Sequence, residues 1–484
     1  MFGKNFRRTT IIATGCFSFL TGLAVAGQGV VWHHSYIALA LIIFMISVTR
    51  LKTLSLVSVI ILCSAIGITR GHNFSKRLNP IKSNYDKKVV MQVRAASDGV
   101  YTNKAQISFD GDNLQFIEPI QTANIPGRLL IEGYGTKGVL RGDLVMVEGK
   151  LRQIRGSRQG VVGFADLRVI GRDNSKVEVT RRGFVAGLSS ALPEPQASFA
   201  AGLLIGQRTT IPDTLKKELS ATGLTHIIAV SGYNLTIIVR GVMRLMRGRS
   251  KFQIVVTTSV IVCLFLLITG FSASIVRAAL VCGLSLFAWY FGRQFKPWLL
   301  IGIVAAVTAG VYPIYIWSDI GWYLSFLAFG GILVLAPLLH DRIFKKRKAK
   351  LIELVLLETF CAQIMTLPLI LYIFQEVSII SLLANLLIVP LVPLAMLFSA
   401  LAGIAGMSLQ ALSGWLAWPA RGLLTYMLDL TSLLSRPRGI LIERVLSVSG
   451  LIFLYACLTL IIIILSVRKR GLPRATITEY ERTF

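Results

Sequence analysis

His226, Ser231 and Asn234 interrupt an apolar run that starts near residue 224, and a histidine close to a serine is the pairing that activates a hydroxyl nucleophile in hydrolases. Spacing speaks against that pairing on a straight helix. Ser231 and Asn234 are three apart and share a face, whereas His226, five residues from Ser231, is rotated by roughly 140°. An intramembrane serine hydrolase would need a bend at Gly232; an interhelical hydrogen bond from Ser231 is the commoner use of such a residue. Arg277, Asp319, Glu358, Gln363 and Asn385 also lie in or near apolar stretches, where polar groups must pair, snorkel to an interface or line a wet pathway. Arg277, Asn234, Gln363 and Asn385 could supply positive or polar walls for a polyanion. No Gly-x-x-x-x-Gly-Lys-Ser/Thr phosphate loop is present, so energy must come from elsewhere.

The elements that position these groups are mostly apolar helices. The 484 residues are 54% hydrophobic with a mean hydropathy of +0.68, above the usual apolar share of about 45–50% in soluble proteins, and the apolar residues come in runs near bilayer-spanning length. A soluble enzyme is excluded. The formal net charge of +28 favours anionic partners, lipid headgroups or nucleic acid, without choosing between them. The six cysteines all fall in apolar stretches and the five histidines are scattered, so neither a disulfide framework nor a metal cluster is expected, and no cofactor is called for.

Apolar runs at 11–27, 36–48 and 53–69 are followed, after residue 183, by nine more near 224–246, 252–270, 273–291, 297–315, 322–339, 351–373, 378–404, 410–434 and 446–467. That pattern predicts a polytopic α-helical membrane protein of about 11–12 crossings. Lys4, Arg7 and Arg8 place the amino terminus in the cytoplasm, as do the basic loops Arg244–Lys251, Arg293–Lys296, Arg342–Lys350 and Arg468–Arg470 for the crossings they join. Pro390 and Pro393 fall inside one run and predict a kinked or split helix there.

Residues 70–182 break the trend. Val89–Ala95, Ala105–Phe109, Leu129–Ile131 and Val145–Leu151 alternate apolar with polar residues at the period of a half-buried strand. About five strands fit, which suits a small barrel of the OB type, placed outside the cytoplasm by the three preceding crossings. This segment holds 20 Lys or Arg against 11 Asp or Glu. Lys150, Arg152, Arg155 and Arg158 crowd one strand and its turn, where they could pair with phosphates, while Tyr101, Phe109, Phe116, Tyr134 and Phe164 show no array in sequence. Headgroups and nucleic acid both remain open as partners. The expected divisions are thus 1–69 for the first helices, 70–182 for the barrel, 183–467 for the helical bundle and 468–484 for a cytoplasmic tail.

The stretch from Gly202 to Asn234 contains a Gly206-Gln-Arg208 turn, a helix opened by Pro212, Thr222-Gly-Leu-Thr-His226 and Ala229-Val-Ser-Gly232. In order and spacing it closely resembles the signature of the ComEC competence family. Ser274–Leu280, Ser318–Ala328, Gln363–Pro368 and Ala384–Pro390 are similar to further blocks of the same family. The resemblance implies an inner-membrane channel for one strand of environmental DNA during natural transformation. It also implies a DNA receptor, an uptake pilus and a cytoplasmic ATPase as partners. Two departures stand out. The His-x-His-x-Asp-His cluster of the metallo-β-lactamase-like domain found in many members has no counterpart here, so a separate nuclease is expected wherever the complementary strand is degraded. Asn234 stands where the family more often has histidine. A secondary transporter of small anions is the alternative from another class; a basic barrel of this size is more than a small solute requires.

Within the signature, Pro212 suits a first helical turn, Asp213 complements the positive helix end and Gly223 suits the carboxy-terminal cap. Leu215 and Leu219 share one face and Lys216 and Lys217 another, the pattern of a helix lying at an interface.

Overall fold

The computed structural model describes residues 8–28, 54–102, 106–119, 124–136, 138–154, 156, 158–207, 209–228, 232–293, 296–344, 349, 351–437, 441–443 and 446–469. The expected second crossing at 36–48 and most of the tail lie outside the described residues. The chain forms two compact units, Met1–Val179 with Trp298–Tyr323, and Thr180–Pro297 with Leu324–Phe484.

In the first unit, helix α1 (Arg8–Ala26) packs along α2 (Leu54–Arg77). The two backbones touch at glycines: a Cβ on Gly22 would lie 2.2 Å from the Ser64 carbonyl oxygen, and one on Gly67 would lie 2.3 Å from that of Phe19. Small residues that let helices approach this closely are the usual means of packing where no water drives association. Past the apolar run, α2 continues through Phe74, and Phe74, Leu78 and Ile81 are buried in the same core as the strands that follow.

Those strands are β1 (Lys88–Ala95), β2 (Val100–Tyr101), β3 (Ile107–Glu118), β4 (Leu129–Tyr134), β5 (Leu144–Arg152) and β6 (Gly160–Gly171). Their neighbours run β1-β5-β6-β4-β3-β2, and β1 also pairs with β3, so five strands close on themselves and β2 hangs on the outside of β3. Every pairing is antiparallel except β4 with β6. Two register shifts between β1 and β3 supply the bend that closure needs. Alternation is followed closely: on β5, Val145, Val147 and Leu151 face in while Lys150 and Arg152 face out. Phe109 and Phe116 belong to the core.

A later segment completes this unit. Helix α9 runs from Pro297 to Val311, and its last carbonyls, Gly310 and Val311, accept hydrogen bonds from Arg70 Nε (2.9 Å) and Nη2 (3.1 Å), a cation capping a helix carboxy terminus. Trp317 Nε1 donates to the Leu23 carbonyl at 2.8 Å, and Phe74 meets both Tyr312 and Trp317 edge-on.

The second unit begins with α3 (Lys176–Ala191), which crosses from the first. It continues through α4 (Gln196–Ile205), α5 (Asp213–Ala221), α6 (Gly232–Leu245), α7 (Lys251–Thr269) and α8 (Ala273–Tyr290). After α9 come α10 (Ile320–Ile343), α11 (Leu351–Phe374), α12 (Ser381–Ser408), α13 (Trp418–Ser435) and α14 (Val448–Lys469). Residues 197–205 of α4 are buried all round, and the core of the unit gathers on them from α3, α5, α12 and α13. Gly187 and Gly406 bring α3 against α12, where a Cβ on Gly406 would lie 2.0 Å from the Gly187 carbonyl oxygen.

Among the described residues eight helices are long and apolar enough to cross a membrane: α1, α2, α7, α8, α10, α11, α12 and α14. The run expected at 224–246 differs. Residues 222–228 form turns, because Gly223, at φ +71°, ends α5 with Leu224 N–H returning to the Leu219 carbonyl, a left-handed cap; α6 is described from Gly232. The run at 378–404 breaks as expected. A 3₁₀ turn at Val389–Leu391 separates its two halves, where Pro390 and Pro393 withhold backbone donors. A π-helical turn at Gly331–Leu335 interrupts α10, which hydropathy alone does not announce.

Candidate functional site

Helix α4 ends at Gly206, whose φ of +71° and N–H bonds to the Ala201 and Gly202 carbonyls form its cap. The chain then turns to Pro212, which precedes α5, and Leu215 and Leu219 bury one face of that helix while Lys216 pairs with Asp213 at 2.9 Å on the other. Arg208 lies outside the described residues.

Asn234, on the first turn of α6, donates from Nδ2 to the Leu203 carbonyl at 3.0 Å and is buried. It thereby satisfies a carbonyl in the last turn of α4, which would otherwise have no intrahelical partner, and joins the two ends of the signature. Packing of α6 on α8 is close here: a Cβ on Gly232 would lie 2.9 Å from that of Ala278. The residue before Ala278 is Arg277, only 2% exposed. A guanidinium at that depth carries a large desolvation cost unless polar groups surround it. Ser231 lies outside the described residues. His226 precedes α6, is exposed, and its Nδ1 donates to the Gly223 carbonyl at 3.1 Å.

A second group forms around α11 and α12. Gln363 Nε2 donates to Ser381 Oγ at 2.7 Å. Gly223 sits against the same serine, since a Cβ there would meet Ser381 Cβ at 2.6 Å. Asn385, one turn beyond Ser381 on α12, is buried. The Gln363 and Asn385 side-chain oxygens and Ser378 Oγ are all buried without a hydrogen-bond partner among the described residues. Buried acceptors of this kind call for water or a ligand. Gln363, Ser381 and Gly223 are thus brought together, with Asn385 one turn further along α12, and Asn234 lies on α6, the helix whose Gly232 packs on the α8 that carries Arg277. Ser381 went unnoticed in the sequence because a serine at the start of an apolar run reads as a cap; its i, i+4 relation to Asn385 was the available signal.

Asp319 belongs to the first unit. Its Oδ1 accepts the Trp322 N–H at 3.1 Å, so it caps the start of α10.

On the barrel, Lys150 and Arg152 are exposed on β5, and Lys150 Nζ lies 3.9 Å from Asp86. Arg158 is engaged differently: its Nε is 2.6 Å from Asp110 Oδ1 and its Nη2 donates to Oδ2 at 3.3 Å. Arg155 lies outside the described residues. Phe164, on the neighbouring β6, and Tyr134, on β4 beyond it, are also exposed. Strand register was the missing information. Around the barrel the carboxylates also take cations, Glu148 from Lys88 at 2.6 Å and Asp173 from Arg94 at 2.9 Å. The Ser175 N–H and then Arg94 hold the Asp173 carboxyl below the usual carboxylate range.

The family model of the Competence protein matches residues 203–470, more than half of the chain and all of the polar positions just described in the second unit. The chain is also similar to ComE operon protein 3 of Bacillus subtilis (strain 168), with 26% identity over 220 residues that cover 44% of this chain and 27% of that relative. The match therefore spans about a quarter of the relative's length. No solved structure matches. The signature from Gly202 to Asn234, the polar groups it gathers and the extent of the family match together identify the chain as a multi-pass membrane protein that belongs to the ComEC-type Competence protein family.

Proposed function

We propose that this chain is the conducting channel through which one strand of DNA enters the cell during natural transformation. Family membership supports a role in competence DNA uptake. The observation that carries the channel reading is the burial of Arg277, Asn234 and Asn385 within a helical unit of membrane-spanning composition. Such groups at membrane depth pair within the bundle or line a polar pathway, and irregular backbone such as the Val389–Leu391 turn is tolerated there only inside protein or beside a cavity. The chain crosses 11–12 times with its amino terminus in the cytoplasm, and the barrel faces outward. An OB-type barrel is favoured by the closed order of five strands with a single parallel pair, β4 with β6. Its surface receives the strand, the bundle conducts it, and a cytoplasmic ATPase provides the work. A DNA receptor and an uptake pilus deliver the substrate, and a separate nuclease removes the other strand.

Deleting the gene in its host and following fluorescent double-stranded DNA tests this. Surface-bound, nuclease-protected and cytoplasmic label are scored separately. The expected result is capture without cytoplasmic entry, restored by the intact gene and not by Arg277→Ala or Arg277→Lys, because lysine lacks the planar fork of guanidinium donors. Unchanged cytoplasmic entry in the deletion strain overturns the assignment.

A further inference from the structure

Phe164 lies on β6 with φ +54°, a left-handed conformation that bulky residues rarely adopt. The cause is a bulge. Register shifts between Ile131 and Gly133 on β4, and between Glu148 and Lys150 on β5, fall opposite the same part of β6, so Gly163 and Phe164 both stand outside between the inward Val162 and Ala165. At such a position glycine would cost the fold least. The chain instead carries a phenylalanine that is 65% exposed, and backbone strain combined with an exposed ring points to use rather than to packing.

The neighbours show what use. Gly163 pairs with Lys150, and Val161 pairs with Arg152, so both exposed cations stand on the strand next to Phe164. On its other side runs β4, where Tyr134, 45% exposed, pairs with Asp166. Three adjacent strands, spaced about 4.8 Å apart, thus present two cations, a phenyl ring and a phenol ring in sequence around the barrel. Tyr101, also exposed, lies in the same row of pairs through Ile107, Gly133 and Ala165.

We infer that Phe164 and Tyr134 form a stacking surface for the bases of single-stranded nucleic acid, with Lys150 and Arg152 holding the adjoining phosphates. This rests on the DNA-uptake reading and adds to it the contact by which the strand is received. Rings alternating with cations match a polymer whose bases and phosphates alternate. A duplex keeps its base faces covered, so the surface selects the single strand. Glu132 and Asp166 interleave with the rings; insertion into a bilayer interface would desolvate these carboxylates, whereas a stacked base touches only the ring faces.

The test is made on the full chain in nanodiscs of zwitterionic lipid, titrating a fluorescein-labelled oligothymidylate by anisotropy at several salt concentrations. Phe164→Gly is the informative variant because a left-handed φ suits glycine, so its melting temperature is expected to hold or rise while binding suffers. The expected loss is roughly 5- to 100-fold in affinity with an unchanged salt slope, since stacking releases no counterions. Phe164→Trp restores binding. Lys150→Ala and Arg152→Ala each lower the salt slope by about 0.7. Wild-type affinity in Phe164→Gly overturns the inference and leaves the uptake reading intact, whereas a wild-type chain that binds no oligonucleotide at any salt sinks both. A Phe164→Gly effect that arises only in discs containing anionic lipid assigns the rings to headgroups and also overturns it.

Discussion

Gln363 and Ser381 are 18 residues apart in the chain and 2.7 Å apart in space, the glutamine amide donating to the serine hydroxyl. This bond ties the middle of α11 to the first turn of α12, and Gly223 of the signature closes over the same serine. Ser381→Ala leaves the glutamine amide buried without that partner, a loss of about 1–3 kcal/mol. Its melting temperature in detergent is expected to fall and DNA entry to weaken. Gln363→Leu does the same, and the double variant should cost clearly less than the two single losses together, because both remove one interaction. Strict additivity would show that the pair is not coupled.

Gly22 and Gly67 set the separation of α1 and α2. Alanine at either position places a methyl group 2.2 or 2.3 Å from a facing carbonyl oxygen, and backbone cannot swing aside as a flexible side chain can. Gly67→Ala is expected to destabilise the first unit by about 1–3 kcal/mol, and Gly67→Leu to abolish correct assembly. Limited proteolysis of the membrane-embedded chain checks this: faster cleavage within 78–176 in the variants is the expected result, and wild-type digestion kinetics would contradict it.

Arg158 was grouped with Lys150 and Arg152 by sequence proximity, yet its guanidinium is held by Asp110. A cation already paired releases fewer counterions on meeting a phosphate. Arg158→Ala should therefore change the salt slope of oligonucleotide binding less than Lys150→Ala does. With both partners partly exposed, the loss of barrel stability should stay within about 1 kcal/mol. Salt titrations of the three variants side by side settle the ranking, and an equal drop in slope for Arg158→Ala would contradict it.

What was legible in the sequence followed from periodicity. Alternation located the strands around Val89–Ala95 and Val145–Leu151, long apolar runs located α7, α8 and α11, and two prolines located the break in α12. What depended on distant partners was not legible. The extension of α2 through Phe74 makes sense only once Phe74 and Ile81 are seen beneath the strands. Residues 298–323 join the first unit through the hydrogen bonds of Arg70 and Trp317, which link positions some 240 and 294 apart. Asp319 read as an embedded charge because a helix start cannot be placed to the residue inside an apolar stretch. Phe164 faces outward through a bulge of one residue, and a shift of one residue reverses the face that alternation assigns.

Asp173 offers a check on the junction between the barrel and α3. Its carboxylate accepts the Ser175 N–H at 2.8 Å and the Arg94 guanidinium at 2.9 Å, and these bonds lower its pKa below the ordinary carboxylate value. A carboxyl group whose folded pKa is depressed contributes stability above its unfolded pKa of about 3.9, and that contribution is lost as the pH falls through the lower folded value. Asp173→Asn removes the charge at every pH. The local difference between wild type and variant is therefore expected to be full at pH 5–7, worth roughly 0.5 kcal/mol for a partly exposed pair, and to shrink as the pH drops below about 4. Hydrogen exchange of the peptide covering 172–180 reads it directly, as protection at the Ser175 amide that is greater in wild type at neutral pH and equal in the two proteins in acid. A difference that persists unchanged into acid would mean that the hydrogen-bond geometry of the turn, and not the carboxylate charge, holds this junction.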